Sequence, residues 1–127
     1  MLDEIDLKKY INALLSKSEE AYLMAIEIIN KPTINYRTEG FCFFICNAWE
    51  LLLKAFIINK AKDINAINYK DDSNRTIGLD ECVEKIFTST TDKVKNNISF
   101  IRNIRNKSTH LILPEFDFML APAFQRC

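Results

Sequence analysis

The chain has 127 residues, 48% hydrophobic and 27% charged, with 17 basic and 17 acidic side chains. That suits one globular domain over 1–127, and the balanced charge argues against a strong non-specific nucleic-acid binder, whose affinity comes mainly from neutralising phosphates. With 2 glycines and 3 prolines, the chain has little material for turns, which argues against an all-β fold and for long helices.

In chain order, the first predicted helix runs from about Asp3 to Asn30. Ile5, Leu7, Ile11, Leu14, Leu15, Ala21, Met24, Ile28 and Ile29 recur mostly at steps of three and four. The polar stretch from Ser16 to Glu20 is a place for a break or kink. Lys31-Pro32-Thr33 ends the helix, because the residue before a proline disfavours helical geometry.

The second predicted helix is FCFFICNAWELLLKAFII, Phe41 to Ile58. It is apolar on nearly every side, the pattern of a central helix wrapped by others. Asn47, Glu50 and Lys54 interrupt it, so it reads as a core helix, with no membrane span expected. Lys60 to Gly78, with KDDSNR at its centre, reads as a surface loop. Tyr69 and Lys70 are solvated there, with substrate contact the lesser alternative.

A short third helix starts at Gly78, the candidate N-cap of GLDECVEKIF. Asp80 and Glu81 then suit the dipole in its first turn. The fourth runs from about Asp92 to past Arg105, with caps offered by Ser89 to Asp92 and with Val94, Ile98, Ile101 and Ile104 toward the core. Pro114 stops it. Phe116, Phe118, Met119, Leu120 and Phe124 are too apolar for a free tail. The chain is therefore expected to be the front of a longer protein, or to pair its end with another chain.

The cysteines are Cys42, Cys46, Cys82 and Cys127, and the opening MLDEIDLKKY is charged from its third residue. Free thiols in a reducing cytoplasm are expected. Cys42 and Cys46, one turn apart on the most apolar helix, read as packing rather than as metal ligands. Metal-dependent hydrolysis is a poor reading: the carboxylates are not clustered at ligand spacing and the chain has one histidine.

The fourth helix is the one strongly positive element. It carries Lys93, Lys95, Arg102, Arg105 and Lys107, and no acid occurs between Lys93 and Pro114. Such a run is usually a solvated face. Here it also carries Asn96, Asn97, Asn103 and Asn106, and donor-rich cationic surface is what a phosphate wants. Lys95, Arg102 and Lys107 are the expected RNA contacts. Arg105, four after Ile101, lies on or beside the buried face and needs an anion. Glu50 is the expected partner, with Lys54 competing for it from one turn away.

His110, the one histidine, follows Arg105 by five positions, about 140° around an ideal helix. From composition alone it reads as a helix-end histidine complementing the dipole. The sharper reading is RNA cleavage without metal. The 2′-hydroxyl attacks the phosphate, histidine serves as base or acid, and arginine holds the phosphate. One histidine does not conveniently fill both proton roles, so this reading expects a homodimer with the fourth helices facing each other.

Arg105 to His110, RNKSTH, resembles the arginine–polar–x3–histidine motif of the HEPN superfamily. NAWELLLKAFII, Asn47 to Ile58, resembles the HEPN helix bearing a glutamate followed by Leu-Leu-Lys-Ala. GLDECVEKIF followed by IRNIRNKSTHLIL is similar to a bacterial HEPN-like branch known as domain of unknown function 3644. The resemblance spans about residues 36 to 126. It implies an all-α, four- to five-helix bundle, often homodimeric, acting as a metal-independent ribonuclease in toxin–antitoxin, abortive-infection or CRISPR systems. It implies catalytic roles for Arg105 and His110, with Asn106 as the polar residue after the arginine and Glu50 as supporting acid. No cofactor or metal is implied; RNA, an antitoxin or a further C-terminal domain are the expected partners. Some such domains serve only as helical dimerisation modules that bind RNA, a nucleotide or a protein, and that is the alternative.

Overall fold

The computed structural model describes residues 4–69, 75–89 and 92–108. They form four α-helices and one 3-10 turn: α1 Glu4–Ile29, α2 Arg37–Ala61, the 3-10 turn Ile64–Ile67, α3 Leu79–Ile86 and α4 Lys93–Ser108. The all-α bundle follows from the 3.6-residue periodicity and the scarcity of turn residues.

α1 buries Leu7, Leu14, Ser18, Ala21 and Ala25, a stripe at steps of seven, four, three and four that holds one face of a helix. The stripe is narrower than the apolar pattern, for Ile5, Leu15 and Met24 are exposed. The helix does not break at Ser16 to Glu20. Ser18 turns inward and donates its hydroxyl to the Ala48 carbonyl of α2 at 2.6 Å, so the polar residue ties the helices together. Small residues permit that approach: a Cβ on Gly40 would meet Cγ2 of Ile28 at 3.2 Å.

Every other element packs against α2, and the α1–α2 hairpin is the largest packing surface. Phe41, Cys42, Ile45, Cys46, Leu53, Ala55 and Ile58 build the core from α2. The expectation of a helix wrapped on nearly every side is corrected, since Phe43, Leu52 and Phe56 are exposed. By length and composition α2 could cross a membrane, yet half of its most apolar window is buried in the bundle. A core helix meets the same two criteria. α2 ends in a left-handed cap at Lys62, whose N–H donates to Ile58 O at 2.8 Å.

The segment expected as surface loop does more than connect. Asp63 Oδ1 accepts from Asn65 N and opens the 3-10 turn. Asn68 and Thr76 form an antiparallel bridge, and Ile67 and Ile77 are buried in the core. α3 starts at Gly78 as expected, with Glu81 Oε2 accepting from Gly78 N at 3.1 Å. α4 starts after Asp92, whose carboxylate accepts from Lys95 N at 3.0 Å. Ile98, Ile101 and Ile104 face the core; Val94, expected with them, is exposed. Asp80 pairs with Arg102, and Glu84 with Lys95. The start of α3 thus lies by the later half of α4, and the two helices run antiparallel. Pro114 and the apolar tail lie outside the described residues.

Candidate functional site

Arg105 is half-buried in the last turn of α4, as its register beside Ile98 and Ile101 requires. Its Nε and Nη2 both donate to Oδ1 of Asn106, at 3.3 and 3.1 Å. The next residue thus steers the guanidinium plane. Arg105 and Lys107 occupy the helix end where cations complement the dipole.

The guanidinium lines a groove of about 290 Å³ against the start of α2, together with Ile28, Ile34, Tyr36, Glu39, Gly40, Phe43 and Phe44. Glu39 is 7% exposed, and its place in the first turn of α2 suits an anion. Phe43 and Phe44 meet edge to face, with ring centroids 5.2 Å apart. Sequence reasoning missed Glu39. The signal was available, since it is an acid seven residues before Cys46 and four before Phe43, at the mouth of the most apolar helix.

Glu50 is elsewhere. Its Oε2 accepts from Lys54 Nζ at 3.1 Å, and the same ammonium donates to Thr76 Oγ1 at 2.9 Å. The expected Glu50–Arg105 contact is corrected: Arg105 lies against Glu39 to Phe44, and Phe44 is six residues, about 9 Å of helix axis, before Glu50. The competing partner holds Glu50 because it is one helical turn away.

Of the three cations expected to contact RNA, two have partners on the α3 side. Arg102 Nη1 donates to Asp80 at 2.9 Å. Lys95 Nζ donates to the Phe87 carbonyl at 3.0 Å and lies 3.4 Å from Glu84. Lys107 is exposed. The structure therefore brings Arg105 and Asn106 together and sets Lys95, Arg102 and Glu50 apart from them. His110 lies outside the described residues, as do Lys70 and Cys127.

A second polar cluster joins the bridge segment to α3. Tyr69 donates to Glu81 Oε1 at 2.8 Å, and the Arg75 guanidinium lies 5.3 Å from the Tyr69 ring centroid. The hydrogen bond to Glu81 raises the phenol pKa, and the same bond lowers that of the carboxylate. Cys82 is fully buried, and burial pushes its thiol up to about 11. Cys42 and Cys46 are also buried free thiols. Among the described residues no group of three or more His, Cys, Asp or Glu side chains is placed to hold a metal ion.

A larger groove, about 670 Å³, lies at the opposite end of the α1–α2 hairpin, with Ile5, Ile11, Leu15, Leu52 and Phe56 among the residues that line it. Glu4, Lys8 and Lys62 also line that groove; what sets the smaller one apart is Arg105, five residues before the single histidine.

The fold and site define an all-helical bundle with a steered arginine at the end of its fourth helix. The chain belongs to the family described as Domain of unknown function (DUF3644), whose model matches residues 13–127. No curated protein and no solved structure matches the chain.

Proposed function

We infer that the chain is a HEPN-type, metal-independent RNA endonuclease of the cytoplasm, acting in antiphage defence or as a toxin. The observation that carries this reading is the Arg105 guanidinium, steered by Asn106 at a groove edge five residues before the single histidine. A guanidinium offers paired donors that match two phosphate oxygens, and a fixed fork loses less freedom on binding. His110 is the proton carrier, with a pKa range suited to neutral pH. It takes the proton of the 2′-hydroxyl, which attacks the adjacent phosphorus. The His110 of a second copy gives a proton to the departing 5′-oxygen. Arg105 stabilises the charge that grows on the phosphorane. Lys107 adds positive charge at the same helix end, and Glu50 acts through the fold by holding Lys54.

This chemistry leaves a 2′,3′-cyclic phosphate and a 5′-hydroxyl. An oligoribonucleotide carrying one 2′-deoxy sugar at the cut position is resistant, while its all-ribo counterpart is cut. Cleavage of the deoxy-substituted strand would rule the mechanism out.

The exposed apolar groove formed by Ile5, Leu15, Leu52 and Phe56 favours a second reading, a non-catalytic module that dimerises or docks a partner. That reading expects association without any RNA product, whatever the state of Arg105.

A further inference from the structure

The groove beside Arg105 combines three chemistries that an RNA nucleotide needs. The guanidinium suits phosphate. Tyr36, the N-cap of α2, and Phe43, seven residues later on the helix, are 63% and 58% exposed and both line the groove. Core aromatics would be buried; these present ring surface to solvent, and Phe44 braces Phe43 edge to face. Gly40 lies between them in sequence, and its missing Cβ lets Ile28 of α1 pack close beneath as the groove floor.

Glu39 is the informative member. A carboxylate repels phosphate, so it does not serve the backbone of a nucleic acid. When ionised it only accepts hydrogen bonds, with about four lone-pair sites, so it has capacity beyond any one partner. An acceptor on a groove wall selects ligands that donate. Among RNA bases, guanine offers N1–H and N2–H side by side, matching the two oxygens of a carboxylate. At about 290 Å³ the groove is at the lower limit for small-ligand sites, room for one base.

We propose that this groove is a nucleobase subsite next to the scissile phosphate, in which Tyr36 and Phe43 stack the base and Glu39 favours guanine. The proposal rests on the ribonuclease reading above and adds its sequence preference.

The test is fluorescence anisotropy with labelled pentaribonucleotides that differ only in the central residue: guanine, uracil or an abasic sugar. The full chain carries His110→Ala so that no strand is cut. The guanine strand binds tightest and the abasic strand weakest. Tyr36→Ala and Phe43→Ala each weaken guanine-strand binding by about 5- to 150-fold, the range that loss of one base–aromatic stack produces. Glu39→Gln removes the preference for guanine over uracil and leaves the uracil strand nearly unchanged. Phe43→Leu keeps apolar bulk and loses only the ring, so it serves where the alanine variant unfolds. Arg105→Ala separates the two readings. If it weakens binding while the Tyr36 and Phe43 variants bind like the parent, the subsite is wrong and the RNA reading stands. If those variants lower the melting temperature without changing RNA affinity, the groove holds protein, and the subsite is again wrong. If no strand binds the parent, both readings fall.

Discussion

The ammonium of Lys54 lies 3.1 Å from Oε2 of Glu50, one turn earlier on α2, with its side chain only 9% exposed against 28% for the glutamate. Thr76 Oγ1 completes its shell at 2.9 Å. The pair therefore anchors the bridge segment to the core helix, and the lysine is its deeper member.

Removing the shallower partner should hurt more than removing the deeper one. Glu50→Ala leaves a buried ammonium with Thr76 and costs about 2–4 kcal/mol, near the range for breaking a buried pair. Lys54→Met leaves a carboxylate able to reach water and costs roughly 1 kcal/mol, with the apolar stem's packing kept. Urea denaturation of both variants and the double variant checks this. The double variant should match Lys54→Met, and a glutamate loss milder than the lysine loss would contradict it.

Tyr69 and Glu81 make stability depend on pH at both extremes. The phenol pKa is raised in the fold, so its contribution is whole below about 10 and falls as pH rises through the folded value. The carboxylate pKa is lowered, so its contribution is whole above about 4.5 and falls as pH drops through the folded value. Tyr69→Phe should therefore differ from the parent by a constant amount between about pH 5 and 10, and the gap should narrow outside that window. Tyr69 is half-buried and Glu81 exposed, so solvent screens the pair, the effect is small, and it is best read from differences in melting temperature across a pH series.

Thr38, in the first turn of α2, is fully buried, and its hydroxyl has no hydrogen-bond partner among the described residues. A buried hydroxyl without a partner is unfavourable, and valine has the same shape without it. Thr38→Val should raise stability by about 1 kcal/mol, a gain of roughly 3–5 °C in melting temperature for a domain of this size. A loss of stability would show that the hydroxyl is satisfied after all.

Cys82 combines full burial with a thiol pushed up to about 11. The reactive species is the thiolate, so native Cys82 should stay unmodified by iodoacetamide at pH 8 and react once urea unfolds the chain. Peptide mapping by mass spectrometry reads this directly. The raised value also means that stability falls as pH climbs from about 9 to 11, because the unfolded thiol ionises first. Cys82→Ala should flatten that decline.

The helices were legible because their evidence is periodic and local. Pro32 ended α1, Gly78 opened α3, and Ile98, Ile101 and Ile104 set the buried face of α4. What escaped depends on contacts distant in sequence. Ser18 looked like a break because its partner, Ala48, is 30 residues away. Ile67 and Ile77 looked like loop residues because each stands nearly alone in a polar run, and only the Asn68–Thr76 bridge carries both into the core. At the site, the register of Arg105 was readable, since a residue four after a core isoleucine falls near the buried face. Its neighbours were not, because which turn of α2 meets the end of α4 is set by packing. Glu50 is the acid in the middle of the apolar helix, while Glu39 at its start occupies the place beside Arg105.

The most direct measurement is incubation of the purified protein with total cellular RNA in excess EDTA, beside His110→Ala and Arg105→Ala. Cleavage by the parent alone is expected, with each variant folded and slower by at least ~10²-fold, the scale of a lost general acid–base group or charge stabiliser. Cleavage that survives His110→Ala unchanged, or a parent that binds RNA and never cuts it, would contradict the ribonuclease reading.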